Sequence, residues 1–244
     1  MFRFELSEAL GRKIRQDDWS EIGVPTWVIA REAIEGGRTE EALELVDYGR
    51  FETNKVRSTE MSVINFLINY IADKYGEDEV GKAWREDETL GEGIRVVDSL
   101  TVLNAEDRVR RVAEGQRGHH CGRTGIGDLT ISEEADRYVI TTDPCGGGGR
   151  WKRDHERLSL TKKAHPWSWG KVGVTYWCTH CCIWYEIMSI ERLGYPVKIH
   201  ENVDKPQEPC LQIIYKSPEL IPEHYFTRVG MKKDISKFTQ KDRS

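Results

Sequence analysis

The sequence predicts an α+β fold: a helical N-terminal half packed with a small antiparallel or mixed sheet whose helices lie to one side. Three observations predict it. Up to about residue 95, apolar residues recur at three- and four-residue steps, the helical period. Past residue 122, β-branched segments with partial alternation take over. In that second half Pro144 to Gly149, then Pro166 and Gly170, break the chain into short segments.

In chain order, TWVIAREAIEGGRTEEALELVDYG predicts two short helices split at Gly36-Gly37, with Thr39 as the N-cap of the second. Ser58 or Thr59 is then expected to cap a helix carrying Met61, Ile64, Leu67, Ile68, Ile71 and Tyr75 and ending at Gly76. An amphipathic piece places Val80 and Trp84 four apart, and GEGIRVVDSL reads as a turn into another element. NAEDRVRRVAEGQRG predicts a helix ending at His119-His120-Cys121-Gly122. Gly127-Asp128 reads as a turn, EEADRYVITTD as a strand, and Pro144 to Gly149 as a loop. KVGVTYWC is strand-like, and THCCIWYEIMSIERLG is helical through Ile183, Ile187, Ile190 and Leu193, with Gly194 as its C-cap. Tyr195 to His200 and CLQIIYK complete the strands. The domain boundaries follow as a helical region over 1–95, an α+β metal- and ligand-binding domain over 96–231, and a charged, frayed tail over 232–244.

Composition narrows the function classes. With 38% hydrophobic and 32% charged residues the chain is globular. A net charge of −5, with basic residues interleaved among acidic ones, argues against nucleic acid. No apolar run approaches membrane-spanning length and the start has no apolar signal core, so a cytoplasmic protein without a membrane partner is expected. All six cysteines follow residue 120, and in a reducing compartment that clustering favours metal binding or thiol chemistry over disulfides.

The segment from about 174 to 215 resembles the last part of the 4-vinyl-reductase-like ligand-binding domains. The resemblance rests on the helix before Leu193-Gly194, on Tyr195-Pro196-Val197, on Glu201, and on Gln207-Glu208-Pro209-Cys210-Leu211-Gln212-Ile213. Asn202-Val203-Asp204 stands where that family carries a second cysteine, and the turn lacks a Gly-Asp pair. The resemblance implies a small-molecule pocket between helices and sheet, in a sensor or beside an enzyme acting on aromatic or tetrapyrrole compounds.

Cys178-Thr179-His180-Cys181-Cys182 is the sharpest chemical signal, because thiolates three positions apart at a helix start can share a tetrahedral ion. The expected metal set is Cys145, Cys178 and Cys181, completed by His119 or His120, holding zinc or alternatively iron. Cys182 and Cys210 are expected to pack in the core. His180, His120 and Glu186 are the acid/base candidates, Glu186 standing four positions beyond Cys182. Gly147, Gly148 and Arg150 of the glycine loop, with Trp167 and Trp169, are the expected substrate contacts. Neither a GxSxG nor an HExxH motif occurs.

The leading expectation is a metal-dependent hydrolase or lyase acting on a small aromatic or heterocyclic molecule. The alternatives are a binding or sensor domain with a structural zinc, and a metal-free enzyme with Cys178 or Cys145 as nucleophile and His180 or His119 as base. A homodimer is a further expected partner, through the tryptophans.

Overall fold

The computed structural model describes residues 4–90, 92–119, 121–122, 127–153 and 160–238, without the side chains of 87–90, 92–94 and 96. The chain divides into two compact units, Met1–Glu60 and Met61–Ser244, and its architecture is α+β with small antiparallel sheets.

The first unit opens with an antiparallel hairpin of β1 (Phe4–Ser7) and β2 (Arg12–Arg15). The helical expectation missed it, although Phe4 and Leu6 alternate with charged residues at the strand period. Helix α1 (Thr26–Glu35) ends as expected at the glycine pair. Gly37 takes φ +71°, and the Arg38 N–H closes the turn on the Ala33 carbonyl at 2.8 Å. Ala30, Ala33, Ala42 and Leu45 form this unit's small core.

Helix α2 (Thr39–Tyr75) runs without the expected new start at Ser58 or Thr59. The Thr59 hydroxyl donates to the Lys55 carbonyl at 3.1 Å, so it bonds within a continuing helix instead of capping a new one. In the second unit α3 (Glu77–Leu90) follows, and α4 (Glu92–Thr101) replaces the expected turn. Its Val97 and Leu100, three apart, are both fully buried, and packing outweighs the glycines around residue 92. Helix α5 (Ala105–Gly118) is capped by the Asn104 side chain, which accepts from the Asp107 N–H at 2.9 Å.

The principal sheet is antiparallel throughout, in the order β3 (Asp128–Glu133), β4 (Arg137–Asp143), β6 (Cys210–Tyr215), β5 (Ile199–Glu201). Strand β3 lies where only a turn was expected, and β5 is shorter than the predicted Tyr195–His200 strand. KVGVTYWC is not a strand; one isolated bridge joins Thr175 to Leu160. Its end is recruited into a helix start instead, because the Cys178 N–H donates to the Thr175 carbonyl at 2.9 Å.

A single helical turn, α6 (Gly148–Trp151), leaves the loop after β4. The predicted helix after residue 178 is present in three pieces: α7 (Thr179–Cys182), a π-helical stretch over Ile183–Met188, and α8 (Ser189–Leu193). Gly194 ends it at φ +86°. Ile183, Ile187 and Ile190 are buried as the spacing predicted. Helix α5 packs on β4 and β6, α7 on β5, and α3 on the π-helical stretch. Helix α9 (His224–Thr227) follows the sheet. Phe238 packs edge-on against Tyr195 and is 3% exposed, so the tail is anchored at least this far rather than frayed. Among the described residues no helix is long and apolar enough to cross a membrane.

Candidate cysteine-histidine site

The glycine loop makes close approaches to the chain itself. A Cβ on Gly146 would strike the His119 carbonyl, and one on Gly148 would strike the Cys178 sulfur and lie 2.6 Å from Trp177. Gly149 would meet the Cys145 Cβ at 2.8 Å. Side-chain-free backbone is therefore what lets Cys145 and Cys178 sit together. The Gly146 N–H also donates to the Cys121 sulfur at 3.0 Å.

Cys145, Cys178, Cys181 and Cys210 are each half-buried, and their charges act on one another, so four thiols share one region between the loop, α7 and the start of β6. Cys182 is fully buried as expected, whereas Cys210 keeps part of its surface open. Burial raises the Cys145 thiol pKa, pushes those of Cys121 and Cys178 up to about 12, and drives those of Cys182 and Cys210 well above the ordinary value. Cys181 departs from them. Burial opposes its ionisation too, but the His200 imidazole and the Lys198 ammonium outweigh it and bring the thiol below the usual range.

Two imidazoles flank that sulfur. His180 Nε2 lies 3.4 Å from Cys181 Sγ, and its Nδ1 lies 2.6 Å from the Trp177 carbonyl, which only an Nδ1–H can satisfy. Trp84, Trp177 and Trp184 surround this ring at centroid distances of 5.3, 5.4 and 4.7 Å. His200 is 2% exposed, and its Nδ1 lies 3.3 Å from Glu186 Oε1. Among the described residues its buried Nε2 has no hydrogen-bond partner.

Glu186, projecting from the π-helical stretch, is fully buried and accepts from four donors. They are the Trp169 indole at 2.7 Å, the Arg228 guanidinium at 2.7 Å, the His200 backbone N–H at 2.9 Å and the His200 ring. Burial alone would raise its pKa; Arg228 and His200 outweigh burial and hold the carboxyl below the usual range. A π-bulge is a common device for aiming a side chain at a functional site. Arg228 also pairs with Glu201 at 2.9 Å and donates to the His200 carbonyl at 3.0 Å.

The structure thus gathers Cys145, Cys178, Cys181, His180, Glu186, Gly147, Gly148 and Trp169 of the residues the sequence singled out. His119 caps the end of α5, its carbonyl against Gly146. His120 lies outside the described residues. Arg150 stacks over Trp151 at 5.1 Å. Trp167 stacks on His165 at 4.2 Å and lies against Gly81. Among the described residues no three His, Cys, Asp or Glu side chains are placed to hold one metal ion. A cavity of about 240 Å³ lies elsewhere, lined by Leu103, Arg108, Tyr195, Tyr215 and Lys216 among others, with no sequence-predicted site residue in its wall.

Sequence reasoning missed Lys198, His200, Gln212 and Arg228. A signal was present: Lys198 and His200 alternate with Val197 and Ile199, and both are almost fully buried, as are their apolar neighbours. Burial lowers the Lys198 pKa against the pull of the thiols and Glu186. No protein-family model, curated protein or solved structure matches the chain.

Proposed function

We propose that the protein is a cysteine-dependent hydrolase of a small aromatic or heterocyclic molecule, with Cys181 as nucleophile. The observation that carries this reading is the setting of Cys181: His180 Nε2 lies 3.4 Å from its sulfur, and His200, held by the buried Glu186, lowers that one thiol's pKa. A nucleophile, a base beside it and a carboxylate orienting the base form the pattern of covalent catalysis.

With its Nδ1–H directed at Glu186, His200 keeps its Nε2 lone pair free to take the thiol proton of Cys181. The sulfur then attacks an unsaturated carbon of the substrate, a carbonyl or ring C=N. The proton held on His200 passes to the departing nitrogen or oxygen as the bond to that group breaks. Water attacks the resulting thioester-type carbon while an imidazole accepts its proton, and the carbon–sulfur bond breaks to return Cys181. His180, whose Nε2 lone pair also faces the sulfur, is placed for this second proton transfer. The indoles around His180 supply apolar walls for a flat substrate. The resemblance of residues 174–215 to small-molecule-binding domains agrees with this proposal.

Timed alkylation with iodoacetamide at neutral pH, followed by peptide mapping, tests it. Cys181 is expected to react first of the six cysteines, and more slowly in His200→Ala. Labelling led by another cysteine would overturn the reading. So would a stoichiometric zinc or iron ion that shields Cys181 until a chelator removes it, which would favour a metal centre.

A further inference from the structure

Lys198 is left unexplained by proton transfer at Cys181. It is 4% exposed, yet among the described residues no carboxylate pairs with its ammonium. Among the described residues the ammonium's one hydrogen bond runs to Gln212 Oε1 at 3.2 Å, an oxygen that also accepts from Gln116 Nε2 at 3.4 Å. Its Nζ lies 3.6 Å from the centroid of the Tyr185 ring. An ammonium carries three donors, and one hydrogen bond with one π face leaves a donor unspent in a place where an unpaired charge is costly. The groups whose charges act on it are Cys181, Cys210, Cys145 and Glu186, so the cation stands among the thiols.

We infer that Lys198 anchors a carboxylate of the substrate, so that the enzyme acts on small carboxylic acids. The inference rests on the reading of Cys181 as nucleophile. A bound carboxylate supplies the missing counter-charge and accepts the unspent N–H, while Gln212, held by Gln116 and by Lys198 itself, keeps the amine aimed. One monovalent cation with Glu186 nearby suits a monoanion better than a phosphate dianion. Tyr185 beside the amine offers a flat wall to a ring attached to that carboxylate.

Paired alkylating reagents read this charge preference without knowledge of the substrate. Iodoacetate and iodoacetamide differ in whether a carboxylate accompanies the reactive carbon. The ratio of their rates at Cys181 is measured by peptide mapping in the wild type and in Lys198→Met. Any change in thiolate population affects both reagents and cancels in the ratio. The iodoacetate-to-iodoacetamide ratio is expected to fall about tenfold in Lys198→Met, the size of one charge-assisted hydrogen bond. Benzoate should protect Cys181 of the wild type from iodoacetamide where benzamide does not, a result that stands even if the variant fails to fold. An unchanged ratio together with equal protection by benzoate and benzamide would overturn the anchor while leaving the nucleophile intact. Protection by inorganic phosphate but not by benzoate would overturn the carboxylate assignment. Failure of both reagents to label Cys181 would instead overturn the underlying reading.

Discussion

Replacing Glu186 with Gln tests the centre of the site through stability as well as chemistry. The carboxylate is fully buried and accepts from the Trp169 indole, the Arg228 guanidinium, and the backbone and ring of His200. An amide of the same shape keeps one acceptor oxygen and turns an NH₂ toward groups that are themselves donors. Breaking a buried ion pair from one side costs about 3–5 kcal/mol. Arg228 retains Glu201 and the His200 carbonyl, which places the loss near the lower end, about 3 kcal/mol. For a chain of this length that is a fall of about 6–12 °C in melting temperature. The loss must also depend on pH. Because the folded carboxyl titrates below its ordinary 4.5, its ionised form stabilises the fold above that pH, and the contribution fades as pH falls through the folded value. Urea denaturation of wild type and Glu186→Gln across pH 3 to 8 should therefore show a gap that is widest near neutrality and narrows in acid. A gap of the same size at every pH would refute the assignment of Glu186 as a buried, ionised partner of Arg228 and His200.

Alkylation of Cys181 by iodoacetamide should persist to lower pH than an ordinary thiol with pKa 9.0 permits, while Cys121 and Cys178, pushed up to about 12, stay unlabelled at pH 8; rate–pH profiles for each peptide check this. Gly148→Ala should destabilise the fold by about 1–3 kcal/mol through the clash with Cys178 and Trp177, and Gly147→Ala by less, since its Cβ would meet Trp177 at 3.1 Å; thermal melts of the two variants rank them. Trp169→Phe removes the indole donor from Glu186 and should slow Cys181 labelling. Trp167→Phe, whose ring stacks on His165 instead, should leave the labelling rate unchanged in the same assay.

The contrast between helix and sheet explains how much of this architecture the sequence disclosed. The helix from Cys178 to Gly194 was legible because its apolar residues sit on the helical period, and its C-terminal glycine takes the left-handed turn that favours that residue. Continuity of α2 through Thr59 was not, because a threonine hydroxyl that caps a helix start and one that bonds back within a helix look alike in sequence. The same limit applies to the site. Cys178, His180, Cys181 and Glu186 fall within nine consecutive positions at and after one helix start, so their spacing announced them. His200 enters from β5, Lys198 from the residue just before it, and Arg228 from the segment beyond the sheet. Their role arises only when β5 packs on α7 and brings a buried imidazole and ammonium to a thiol. The glycine loop shows the converse case. Four glycines in a row suggested backbone approaching a ligand, and the approach exists, but at Gly146, Gly148 and Gly149 it is made to the protein's own carbonyl, thiol and Cβ atoms. Composition announced that something had to come close; only tertiary packing decides what does.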